Sequence, residues 1–172
     1  RHPEVQLRFA GDGSNAAYLR HLHDIIEALA LSDNVTFLGQ LGEEAILDEF
    51  RHCRMVVLAS GQETAPMVIA QAMAAGKAVV STAVGGVGDM VVDGQTGFTV
   101  PVGDVDTFAT RVSSLLSDDQ MVTEIGQHAR AFALEQFRAE SVAARTRDVY
   151  YFVAGKHPRV TALSDIERLE RV

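Results

Sequence analysis

The sequence predicts an α/β domain built on a doubly wound, mostly parallel sheet with helices at its C-terminal end. Two patterns carry that expectation. Short β-like runs alternate with helix-length amphipathic segments over residues 5–100, which argues for right-handed β-α-β units. Several of the runs, Met55-Val-Val-Leu-Ala59 above all, are apolar at consecutive positions, as strands covered on both faces must be.

The first run, residues 5–10, breaks at Gly11-Asp12-Gly13. Leu19, Leu22, Ile26, Leu29 and Leu31 then keep helical spacing, so residues 14–31 are expected to form a helix capped by Ser14 or Asn15. Residues 34–38 form the second strand, closed by Gly39. Residues 43–54 form a helix with Ile46, Leu47 and Phe50 inward, and residues 55–59 the third strand. Pro66 suits the first position of a helix over residues 66–75, where its missing N–H is no loss, and Thr64 is placed to cap it. Strands at 78–81 and 98–100 follow, the latter after the turn Asp93-Gly94. Asp104 caps a helix whose Val105, Phe108, Val112, Leu115 and Leu116 line one stripe. Two more helices are expected at about 120–137 and 141–153. Ser164-Asp-Ile-Glu167 has the form of a capping box for a last short helix in the tail.

Composition narrows the class without choosing within it. With 172 residues, 47% hydrophobic and 22% charged, the chain is globular and large enough for one core. A net charge of −8 argues against a nucleic-acid surface, which needs a basic face. No apolar run approaches the roughly 20 residues that span a bilayer. The lone Cys53 forms no internal disulfide and belongs to no metal-ligand set, so no metal is expected and a reducing, cytoplasmic location fits. His21 and His23, two apart on a helix, face different directions and do not make a metal pair. Neither a G-x-S-x-G elbow nor a G-x-x-x-x-G-K-[ST] loop is present, which excludes a serine hydrolase elbow and a P-loop NTPase.

Two segments are candidates for chemistry. Gly11-Asp-Gly-Ser-Asn-Ala16 has the G-x-G-x-x-A form of a dinucleotide fingerprint. The following strand ends Phe37-Leu-Gly-Gln40 without the acid that holds a ribose, so tight-turn glycines are the main reading and NAD binding the lesser one. The second segment is Glu63-Thr-Ala-Pro-Met-Val-Ile-Ala-Gln71, continuing through Ala72-Met-Ala-Ala-Gly76 to Gly85-Gly86. Glu63 stands just outside the carboxyl end of a strand, where ligands bind in open α/β sheets. The helix start after it presents unpaired amides and partial positive charge, a natural phosphate site. As an ordinary residue, Glu63 would be a solvated loop carboxylate; Gln71, a helix-surface amide. Gly97 reads as a turn residue, and Gly85 and Gly86 permit close backbone approach or a left-handed turn.

In wording and spacing this second segment resembles the donor-site motif of glycosyltransferase family 4, a GT-B family. The resemblance covers residues 1–152 and implies that residues 1–153 are the Rossmann-like donor-nucleotide-binding half of a GT-B fold. That half would lack its first strand and helix, with residues 154–172 as a tail. It also implies a retaining, metal-independent transferase using a nucleotide-diphosphate sugar and no cofactor. Glu63 would bond the donor sugar and favour charge at its anomeric carbon, as the candidate catalytic residue. Amides of Thr64, Ala65, Met67 and Val68 would face the diphosphate, and Gly11 and Gly13 would lie beside the nucleotide. Leu41 would meet the base. Gln71 matches the position at which the family's second acid grips the ribose; replacing charge by an amide weakens that contact by roughly 1 kcal/mol.

The resemblance further implies an acceptor glycan or glycolipid bound by an absent N-terminal domain, and a polysaccharide or glycolipid product. The intact protein would be cytoplasmic or peripheral to the inner membrane face. The fragment alone is expected to be inactive and to self-associate through uncovered apolar surface. Two alternatives stand beside this reading: a non-catalytic binding domain, suggested by Gln71, and a sugar-nucleotide epimerase of the same fold.

Overall fold

The strand–helix alternation expected from the sequence runs through residues 2–156, which the computed structural model describes. In chain order these are β1 (Leu7–Ala10), α1 (Ala16–Ala28), β2 (Val35–Gly39), α2 (Glu43–His52), β3 (Met55–Leu58) and α3 (Met67–Ala74). They are followed by β4 (Ala78–Thr82), α4 (Val87–Met90), β5 (Phe98–Val100), α5 (Val105–Ser117), α6 (Asp119–Gln136) and α7 (Ala139–Val153). The ladders between these strands are parallel. They form two pieces, β1-β2 and β3-β4-β5, with no ladder between β1 and β3 among the described residues. Among the described residues, one edge of β1 and one edge of β3 are therefore without a strand partner.

The core lies on the two faces of the β3-β4-β5 piece. Side chains alternate across a strand, so Val79 enters one cluster with Ile69, Met73, Val87, Ala129 and Ala133. Ala78 and Val80 enter the other, with Phe98, Val100, Leu115 and Ile125. Ile69, Met73, Val79, Val80 and Leu115 are fully buried, each favouring the folded state by about 1.5–3 kcal/mol. Helix α6 serves both clusters along one stripe, Ile125 in the second and, one and two turns further on, Ala129 and Ala133 in the first. It crosses the turn between α3 and β4 at backbone contact. A Cβ at Gly126 would stand 2.3 Å from the Gly76 carbonyl oxygen, so only glycine fits there.

Local signals set most element ends. The Asn15 side chain accepts from the Tyr18 amide at 3.0 Å and caps α1; Asp104 accepts from the Thr107 amide at 3.0 Å and caps α5. That bond holds the Asp104 carboxyl below its usual range. Gly76, at φ +76, ends α3 in a Schellman turn, with Gly76 N–H donating to Met73 and Lys77 N–H to Ala72.

Several expectations need correction. Helix α1 stops at Ala28 rather than residue 31, because Ala30 takes a left-handed φ of +54 and closes the same turn with Leu31. Val105 is largely exposed, leaving Leu115 as the fully buried member of the α5 stripe. Pro66 is the N-cap of α3 and not its first residue, and Thr64 makes no capping bond, because the cap position is already taken by a residue with no side-chain acceptor. Gly97 is buried, and a Cβ there would lie 2.6 Å from the Val79 carbonyl oxygen, so it serves strand packing as well as the turn. The short α4 was not expected. The capping box at Ser164-Glu167 lies outside the described residues.

Candidate functional site

Parallel strands place their carboxyl ends at one rim. There β3 continues past Leu58 into the loop that carries Glu63, and α3 begins. Two hydroxyls at the end of β4 hold this loop. Thr82 Oγ1 donates to the Ser60 carbonyl at 2.6 Å, and Ser81 Oγ to the Leu58 carbonyl at 3.2 Å. Ser60 Oγ in turn donates to Glu63 Oε1 at 2.7 Å. The following peptides are fixed by the glycine pair: Gly86 N–H donates to the Thr64 carbonyl at 2.8 Å. A Cβ on Gly85, whose φ is +51, would fall 1.8 Å from the Glu63 carbonyl oxygen, and one on Gly86 2.6 Å from that of Thr64. Both properties expected of Gly85 and Gly86 are thus used on the protein's own loop.

The helix start offers donors. The N–H groups of Thr64, Ala65, Met67 and Val68 donate to nothing among the described residues, and Ile69 N–H turns back to the Pro66 carbonyl. Unpaired amides and the helix dipole together favour an anion. Thr64, Ala65 and Met67 are exposed; Glu63, Val68 and Gln71 are half-buried. Gln71 lies one turn into α3, and its side-chain amide makes no hydrogen bond among the described residues. Glu63, the four amides and Gln71 therefore belong to one loop and helix entrance.

Gly11, Gly13 and Leu41 lie on the other piece of sheet, after β1 and β2. Gly11, at φ +156, donates its N–H to the Gly39 carbonyl at 2.9 Å and faces open space. A Cβ at Gly13 would press on Leu19 Cδ2 at 3.3 Å, which gives that glycine a packing role. Leu41 is half-buried. No hydrogen bond joins these three residues to the Glu63 loop among the described residues.

Arg8 and Lys77 are engaged away from this loop. Arg8 makes a two-point ion pair with Glu49, both contacts at 2.7 Å, which raises the guanidinium pKa and lowers that of the carboxyl. Lys77 Nζ donates to the carbonyls of Cys53 at 2.8 Å and Arg51 at 3.3 Å, at the amino end of β4. Burial pushes the Cys53 thiol up. The His23 ring lies 4.7 Å from that of Phe37. An open depression of about 410 Å³ touches Phe98, Met121 and His128, at the amino end of β5 and so at the opposite rim. Ser60 and Thr82 were missed from the sequence. Their signal was a serine three residues before the acid and a hydroxyl pair ending an otherwise apolar strand.

A family model described as "Glycosyl transferases group 1" matches residues 1–132. The chain belongs to this family. Among curated relatives, it is 29% identical over 150 residues to the N-acetyl-alpha-D-glucosaminyl L-malate synthase of Bacillus anthracis, covering 87% of this chain and 38% of that protein. It is 33% identical over 138 residues to D-inositol 3-phosphate glycosyltransferase 2 of Catenulispora acidiphila, covering 80% of this chain and 32% of that protein. The chain thus spans about a third of the length of the relatives it matches. Among solved structures, Anabaena HepE in complex with UDP-glucose superposes with a TM-score of 0.78 at 28% identity, over 86% of this chain and 41% of that one. Sucrose-phosphate synthase from Thermosynechococcus elongatus gives 0.74 at 26%, over 88% and 39%. These neighbours are GT-B glycosyltransferases, and the α/β fold class with parallel sheets agrees with theirs. No helix among the described residues is long and apolar enough to cross a membrane.

Proposed function

We propose that this group 1 glycosyl transferase domain is the donor-binding half of a retaining, metal-independent enzyme of the family 4 type, using a nucleotide-diphosphate sugar. The observation that carries the reading is that four amides without partners among the described residues follow a loop-held carboxylate at the carboxyl rim. An anionic diphosphate suits the amides at the α3 entrance, and sugar hydroxyls suit the Glu63 carboxylate. Gln71 takes the ribose hydroxyls, Leu41 the base, and Gly11 and Gly13 leave room beside the nucleotide. The UDP-glucose complex of Anabaena HepE, at 28% identity, supports a UDP-sugar as the first donor to try. Products are surface polysaccharide or glycolipid sugars, made in the cytoplasm or at the inner membrane face.

The acceptor is assigned to a further domain, in keeping with the third of the relatives' length that the chain spans. One additional parallel strand and its helix are assigned to the unpaired edges of β1 and β3, as in the doubly wound order in which the first strand is central. Alone, the 172-residue chain is expected to turn over no nucleotide sugar and to self-associate through its uncovered edges. In the intact parent protein, Glu63→Gln should lower kcat by about 100-fold or more, the size of a lost transition-state electrostatic contact. A kcat within threefold of the unaltered protein, measured with UDP-glucose and its acceptor, would remove Glu63 from the chemistry.

Gln71, an amide where the resembled motif has its second acid, favours a second reading, a non-catalytic binding domain. Gln71→Glu in the parent separates the two. A several-fold change in the donor KM marks a working enzyme, and activity arising from none marks a degenerate one.

A further inference from the structure

We propose that Ser60 is a positioning residue for Glu63, fixing its carboxylate so that one oxygen is committed to the protein and the other is presented to the donor sugar. This rests on the donor-site reading above. The Ser60–Glu63 bond, at 2.7 Å, has the short length of a hydroxyl donating to a carboxylate. It occupies Oε1 and leaves Oε2 without a partner among the described residues. A loop glutamate without such a bond samples many rotamers, and ordering it on ligand binding opposes affinity.

Ser60 is itself held. Its carbonyl accepts the 2.6 Å bond from Thr82 Oγ1, a side chain anchored in buried β4. The backbone of Glu63 is pinned from the other side by the close approach of Gly85, and the next peptide by the Gly86 bond to Thr64. Side chain, own peptide and following peptide are thus fixed by three separate contacts, and two of the three originate beyond the end of β4. A carboxylate needed only for solubility requires none of them. Ser60 acts through Glu63.

The test compares free UDP with UDP-glucose by calorimetry on the intact parent protein. The readout is the ratio of their dissociation constants, which isolates the sugar contacts from the nucleotide contacts. Ser60→Ala should reduce the preference for UDP-glucose about tenfold, the size of one charge-assisted hydrogen bond, with UDP affinity unchanged. Ser60→Thr, which keeps the hydroxyl, should restore it. In a Glu63→Gln background, Ser60→Ala should have no further effect. An unchanged preference in Ser60→Ala, or equal weakening of UDP and UDP-glucose, overturns the proposal while leaving Glu63 in the donor site. A preference that Glu63→Gln does not alter, or none in the unaltered protein, overturns the donor-site reading and this one with it. Should Ser60→Ala unfold, Ser60→Thr and Ser60→Cys decide: loss with Cys and retention with Thr supports positioning, and equal loss in both overturns it.

Discussion

All five residues of β4 are buried, whereas all four of β1 are exposed. Both strands pair in parallel and both precede a helix, so the difference does not come from local conformation. It comes from cover. The β3-β4-β5 piece has α3 and α6 on one face and α5 with the start of α6 on the other. The β1-β2 piece has α1, in which no residue is buried, and stacked Phe9 and Phe37 at 5.2 Å that leave Phe9 39% exposed. Leu7 on β1 and Val57 on β3 are also open. A shared architecture thus sits on one consolidated half and one thin half, and Glu63 belongs to the consolidated half. The Arg8–Glu49 ion pair ties the thin half to α2, whose Phe50 packs in the main core.

That contrast can be broken by mutation. The largest effect is expected from Leu115→Ala, which should cost about 3–5 kcal/mol in urea unfolding. Leu22→Ala on half-buried ground in α1 should cost about 1 kcal/mol or less. Equal costs would show that the thin half is better packed than its exposure indicates. Next, Gly126→Ala should cost about 3 kcal/mol, because α6 must lift from the Gly76 carbonyl; a neutral result would mean that the crossing relaxes freely. In the thin half a gain is available. Ala30→Gly should stabilise by about 0.5–1 kcal/mol by relieving a left-handed alanine, read as a higher unfolding midpoint.

The smallest effect is electrostatic and sharpens the picture of the joint between halves. Glu49 has a folded pKa below its unfolded one, so the folded state binds fewer protons than the unfolded state in that range. The Arg8–Glu49 contribution is present above the ordinary carboxylate pKa of about 4 and is lost as pH falls through the lower folded value. Glu49→Gln should remove a small part of the acid sensitivity as pH falls below the ordinary carboxylate range, measured as the slope of the unfolding midpoint against pH. An unchanged slope would mean that solvent already screens the pair.

What was legible in the sequence follows the same division between local and distant causes. Asn15 and Asp104 were readable as caps because their bonds reach only three residues ahead. The apolar run in β3 and the helical stripe of α5 declared their elements, although Val105 proved exposed at the helix start. The close approach at Gly85 and Gly86 was readable from the glycine pair, but those at Gly97 and Gly126 were not. Gly97 packs on Val79, and Gly126 on Gly76, fifty residues away, so nothing near either glycine in the chain announces its contact. The candidate-site loop was legible through Glu63 and the Pro66 helix. Its supports, Ser60 and Thr82, were not, because their bonds depend on β3 and β4 lying side by side. The division of the sheet was also hidden, since both pieces carry the same alternation.

The crossing of α6 over Gly76 has a consequence for melting. A single rod leans on both sides of the central strands, its early turns against one layer and its middle turns against the other. Neither layer can loosen without lifting that rod from its partner, so the strands and their two coats should come apart together, as one cooperative unit, with α1 and β1 free to fray ahead of them.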